Sequence, residues 1–123
     1  MNDTIQADID CIVKAMNEPV NKDVPDMVAQ KLNNLTVLLA LSSKTIADTD
    51  RRYNEALSAY VKGNAKMNIT TIKLLFSGDN SDICYQNTYA IQLNKDLHYA
   101  IEALRSLLSY LKAEMQASLH QGT

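Results

Sequence analysis

Tryptophan is absent, and the chain holds one phenylalanine, two prolines, two cysteines and three glycines. Each scarcity excludes something. A strand-rich fold needs many tight turns, which draw on glycine and proline, so this composition favours helices joined by few connections. Cys11 and Cys84 lie far apart and lack the C-x-x-C spacing of a metal or redox site. With no secretory leader ahead of them, they are expected to be free thiols in a reducing compartment, packed as small hydrophobes. The longest apolar run, LTVLLAL at Leu35–Leu41, is far shorter than the ~18–20 residues of a membrane span. A soluble, cytoplasmic protein without a membrane partner is expected. An excess of positive charge is also missing. The balance of 14 acidic against 12 basic residues argues against coating nucleic acid by charge alone, though not against a local basic face.

What is present points to helix. A chain of 123 residues fits one domain, and its apolar and charged fractions are ordinary for a globular protein. The stretch Leu97–Met115 places Leu97, Ile101, Leu104, Leu108, Leu111 and Met115 at alternating steps of four and three. That is the pattern of a coiled-coil seam, widened by Leu93, Ala100 and Leu107 on its flanks. An earlier stretch repeats it without a break from Val28 through Leu32, Leu35, Leu39, Ser42, Ile46, Thr49, Tyr53 and Ala56 to Tyr60. Leucine dominates the first half of this second seam, while Ser42, Thr49 and Ala56 thin its middle.

Punctuation divides the chain into a short helix to Met16, a connector over 17–23, a long helix over 24–63, a short helix over 68–77 and a long helix over 82–119. Asp3 or Thr4 suits the first N-cap, with Ile5, Ile9, Ile12, Val13 and Met16 on one side. Pro19 and Pro25 break the connector, Asp23 is the expected cap of the second helix, and Gly63-Asn64 suits its end in a left-handed conformation. Asn68 caps the third helix, which Gly78 closes within the turn SGDNSD, and Ser81 or Asp82 caps the last, before a polar tail HQGT. The architecture expected is all-α: a long antiparallel, coiled-coil-like hairpin with two short helices as attachments. It brings Val28–Leu41 toward Leu104–Leu119, and a homodimer or higher bundle hides the remaining apolar shoulders. Asn87 and Asn94 fall on the seam, where asparagine costs stability and fixes register or partner number.

No constellation carries chemistry. His98 and Glu102 lie one helical turn apart with Asp96 nearby, but the paired Glu-x-x-His pattern of a di-metal bundle is missing, so no metal and no cofactor is expected. There is no G-x-S-x-G, no phosphate loop and no Cys/His nucleophile context, and the chain is read as a non-enzyme. Arg51, Arg52, Lys62, Lys66 and Lys73 interleave with Tyr53 and Tyr60, and such a strip could hold single-stranded DNA by charge and stacking. With Tyr85 and Tyr89 one turn apart, the candidate interaction surface is Arg51, Arg52, Tyr53, Tyr60, Lys62, Lys66, Tyr85 and Tyr89. The plainer alternative pairs the arginines with Asp48, Asp50 and Glu55 and puts both seam tyrosines in the core. Tyr110 carries the same ambiguity.

At ALRSLLSYLKAEM, Ala103–Met115, the chain resembles the C-terminal end of small uncharacterised helical proteins encoded by phages and prophages, often beside single-strand annealing recombinases. The likeness is carried by Leu104-Arg105-Ser106 followed by Ser109, Lys112, Glu114 and Met115. Upstream, RRYNEALSAYVKGNAKM resembles their middle helix, and the whole spans Asp50–Gln116. The resemblance implies a phage-encoded accessory factor of DNA replication or recombination in a bacterial cell, and it assigns no binding residue. The alternative expectation is a bacterial helical adaptor or chaperone-like protein that binds a partner helix without DNA contact.

Overall fold

The computed structural model describes the backbone of residues 3–121 and the side chains of residues 4–119. Four helices follow one another: α1 (Asp3–Asn17), α2 (Pro25–Gly63), α3 (Ile69–Asp79) and α4 (Ser81–Gln121). The described residues contain no strand, so the fold is all-α. Capping by Asp3 and the side chains of the tail from His120 onward lie outside the described residues.

Helix α2 begins at Pro25, whose fixed φ and missing N–H suit a first turn. Asp23 does not cap it. Pro25 sets the first helical position, so the cap falls on Val24, which has no side-chain acceptor. The Asp23 N–H instead donates to Asn21 Oδ1 at 3.0 Å within the connector. The other end also differs from expectation, because no described residue has a positive φ. Asn64 stands at φ −129°, ψ 38°, and its N–H returns to the Val61 carbonyl, a tight 3₁₀-type closure.

Asn68 Oδ1 accepts from the Thr71 N–H at 2.8 Å and caps α3. Gly78 does not close that helix; it lies inside it, and the expected turn SGDNSD is a one-residue break at Asn80. Helix-type bonds run into and out of the break, from Asn80 N–H to Phe76 O at 2.8 Å and from Cys84 N–H to Asn80 O at 3.1 Å. Ser81 and Asp82 therefore sit within α4.

Polar rungs set the register of the long helices. Asn94 Nδ2 donates to Ser42 Oγ at 2.9 Å, Asn87 Nδ2 to Thr49 Oγ1 at 3.0 Å, and Arg52 Nη1 to Gln86 Oε1 at 2.7 Å. Further along, the Tyr60 hydroxyl donates to Asp79 Oδ2 at 2.7 Å. Ascending positions on α2 meet descending positions on α4 and then α3, so these two run on as one arm opposite α2. No buried side-chain nitrogen or oxygen among the described residues lacks a partner. Replacing Asn94 by leucine together with Ser42 by alanine removes a whole rung, so neither partner is left unsatisfied. Stability should change by no more than about 1 kcal/mol in urea unfolding, while light scattering should show mixed association as register is lost. A uniform species with a large loss of stability would show that the rung does not act as a register device.

Continuing that register puts Leu35 level with Ile101 and Val28 level with Leu108. α2 starts shortly before Val28, and α4 therefore overhangs it: every residue from Lys112 to Leu119 is exposed. Met115, expected on the seam, is uncovered within the chain for this reason. The rest of the expected seam divides. Leu35, Leu97, Ile101, Leu104 and Leu111 are buried, whereas Leu32, Leu39, Ile46 and Leu108 are half-buried.

Helix α1 is more than a small attachment. Ile5, Ile9 and Ile12 are as buried as any residue of the long helices and join Val28, Leu35, Leu93, Leu97 and Ile101 in one core. α1 runs opposite to α2, with Asp8 on Lys44 at 3.2 Å near one end. At the other end Lys31 Nζ donates to the Met16 and Glu18 carbonyls at 3.1 and 2.6 Å. An ammonium there satisfies carbonyls that the end of a helix leaves unpaired. One of the shoulders expected to need a second copy is thus covered by α1. Cys11 faces away from this packed side and is exposed, contrary to its reading as a buried hydrophobe, while Cys84 is half-buried.

Candidate interaction surface

One line of α4 stays outside the core. Tyr85, Tyr99 and Tyr110 are separated by about four and then about three helical turns, so they share a phase on the helix. They are 70%, 74% and 60% exposed. Tyr89, one turn beyond Tyr85, stacks on it with ring centroids 5.9 Å apart. Between and beyond the rings the same line carries small exposed residues, Ala103, Ser106, Ala113 and Ala117.

The acidic groups on this face are already engaged. Gln92 Nε2 donates to Asp96 Oδ1 at 2.9 Å, and the Tyr110 hydroxyl donates to Glu114 Oε1 at 2.9 Å. That bond, with the negative charge of Glu114 behind it, holds the Tyr110 phenol above its usual pKa. The face therefore combines exposed aromatic rings with small residues, and its carboxylates at Asp96 and Glu114 each accept from a neutral donor. Of these features the aromatic rings are what protein interfaces are enriched in. Beside Tyr85 and Tyr89 it dips into a groove of 250 Å³ walled by Gln6, Ile9, Asp10 and Val13 of α1.

The candidate residues read from the sequence do not assemble into one strip. Arg51 is exposed and paired with Asp48 at 3.3 Å. Arg52 is turned inward onto Gln86, with Asp82 at 3.7 Å. Tyr53 and Tyr60 meet Phe76 edge-on at 5.4 and 5.6 Å, so each ring is half-buried against a core partner instead of standing free in solvent. Lys62 and Lys66 are exposed where α2 gives way to α3. Tyr85 and Tyr89 remain as surface residues. Tyr99 was not singled out by the sequence. Its signal is the helical phase it shares with Tyr85 and Tyr110, which a search for basic neighbours passes over.

The bond to Asp79, with some desolvation and the carboxylate's charge, raises the Tyr60 pKa above 10.0. A folded pKa above the unfolded one means that this contribution to stability is complete below about pH 10 and is lost as pH rises through the folded value. Tyr60→Phe should therefore reduce the fall in thermal midpoint between about pH 9 and about pH 11. An unchanged alkaline slope would mean that this bond does not contribute.

No cluster of three histidine, cysteine, aspartate or glutamate side chains with metal-binding geometry occurs among the described residues. His98 is exposed on α4. No helix among the described residues is long and apolar enough to cross a membrane. No family model, no curated protein and no solved structure matches the chain.

Proposed function

We propose that this chain is a non-enzymatic helical interaction protein that works by offering the tyrosine face of α4 to a protein partner. One observation carries this reading: a single helix sends Leu93, Leu97, Ile101, Leu104 and Leu111 into the core while its outer side holds Tyr85, Tyr99 and Tyr110 open in one phase. Tyrosine supplies large contact area at small entropic cost. A protein partner is favoured over single-stranded DNA because Arg51 and Arg52 are spent on Asp48, Asp82 and Gln86. The wider setting, a phage-encoded accessory factor of DNA replication or recombination in the bacterial cytoplasm, rests on the resemblance at Ala103–Met115. Tyr110 lies inside that segment.

The coiled-coil-like hairpin formed by α2 against α3 and α4 also leaves Leu32, Leu39, Ile46 and Leu108 half-covered. Self-association through these residues is the oligomeric form of the proposal. The second reading is a helical adaptor or chaperone-like protein that takes up a partner helix. It is favoured by a 400 Å³ groove near the end of α1, walled by Met16, Val20, Leu35, Ala100, Leu104 and Leu107.

Photocrosslinking separates the two. A photoreactive phenylalanine analogue placed at Tyr99 in producing cells should yield one defined protein adduct, and one placed at Lys22, which lines the groove away from the tyrosine face, should yield none. Adducts from Lys22 alone would favour the adaptor reading. The absence of adducts from both positions, with oligothymidine retained at low salt, would overturn the protein-contact reading.

A further inference from the structure

Two long stretches of the chain lack acids; in residues 27–47 Lys31 and Lys44 are engaged by carbonyls and carboxylates, whereas the second stretch, where α2 turns into α3, has lysines of another kind. From Ala56 to Gly78 there is no aspartate or glutamate, although the chain as a whole has 14 acidic residues against 12 basic ones. The same stretch holds Lys62, Lys66 and Lys73, all exposed and none in an ion pair among the described residues. Asp79, the acid that closes the stretch, is engaged by the Tyr60 hydroxyl. Alongside the lysines stand large aliphatic side chains open to water: Met67, Ile69, Leu75 and, at 72% exposure, Leu74.

From this charge pattern we infer that the α2–α3 tip is a second docking site, for a short acidic amphipathic segment of a partner protein. Apolar residues of that segment cover Leu74 and Leu75 while its carboxylates meet Lys66 and Lys73. The inference rests on the reading of the chain as a protein-contact module and adds the chemistry of what it contacts.

Burying a few exposed aliphatic side chains supplies a modest apolar gain, and lysines near carboxylates add attraction and register at the cost of salt sensitivity. Nucleic acid fits less well. Binding single strands without sequence preference relies on stacking rings, and the rings at this end, Tyr53 and Tyr60, are packed on Phe76. An anionic bilayer fits less well too, since exposed aromatic residues that would sit at headgroup level are missing from the tip. The helix carrying Leu74 and Leu75 has only 11 residues.

The test uses the full chain and a short fluorescein-labelled peptide that places leucine and phenylalanine on one helical face and aspartate and glutamate on the other. Fluorescence anisotropy at low salt should show saturable binding. Affinity should fall by at least about fivefold in Lys66→Glu/Lys73→Glu and in Leu74→Ser/Leu75→Ser, and again on raising salt to about 0.5 M. Both variants should keep parental helicity by circular dichroism, since all four residues are exposed. The inference is overturned by no binding, by unchanged affinity in both variants, or by equal binding of a control peptide with asparagine and glutamine for its acids. It is also overturned if phosphatidylglycerol vesicles or oligothymidine bind more tightly than the peptide and lose that affinity in the same variants. A failure here with the Tyr99 adduct intact removes the tip alone. Loss of that adduct removes the wider reading.

Discussion

Replacing Ile12 by aspartate should detach α1 and open a new apolar surface for self-association. Ile12 is 0% exposed at the centre of the core shared with α2 and α4. A carboxylate there has no partner, so its burial costs on the order of several kcal/mol and is avoided by undocking. A helix of 15 residues is marginal without its packing surface, so α1 should then melt. The uncovered side of Val28, Leu35, Leu93, Leu97 and Ile101 becomes an apolar strip that a second copy can cover. Circular dichroism should show a helicity loss no larger than α1, and light scattering should show a mass above that of the parent protein. A variant of parental helicity and unchanged mass would mean that α1 is not what shields this face.

Leu97→Ala should give the other large effect, of a different kind. Leu97 is 0% exposed where all three packed helices meet, and truncating such a leucine costs about 2–5 kcal/mol according to how far the cavity collapses. α1 should stay docked, because its isoleucines and its bonds to Lys44 and Lys31 are untouched. The expected result is a lower urea midpoint with an unchanged slope. A loss under about 1 kcal/mol would mean that the core can close over the gap. Both residues belong to one cluster, so combining this change with Ile12→Asp should cost less than the two separately.

Legibility differed from element to element. The helices were readable because heptad spacing and scarce glycine and proline are local signals. The role of α1 was not readable. Ile5, Ile9 and Ile12 declare an apolar face, yet nothing in their spacing says whether that face covers its own chain or another. Asn80 was misleading: SGDNSD has turn composition, but helix-type backbone bonds run up to the break and again after it.

The candidate surface was readable in parts. Tyr85 and Tyr89 stood out by being one turn apart. Tyr53 and Tyr60 looked equivalent to them until Phe76, distant in sequence, occupied their rings. Arg51 and Arg52, adjacent in sequence, were read as a unit. Adjacent residues on a helix point about 100° apart, and only the packing reveals that one faces water and the other Gln86.

The sequence by itself determined that this chain is helical, where its long helices lie, and which of their faces are apolar, because propensity and periodicity act over a few residues. Only the tertiary structure decided which apolar face is covered from within and which polar groups pair across α2 and α4. It also decided which tyrosines and lysines remain open. Those outcomes depend on contacts between residues far apart in the chain, and local spacing does not encode which partner arrives.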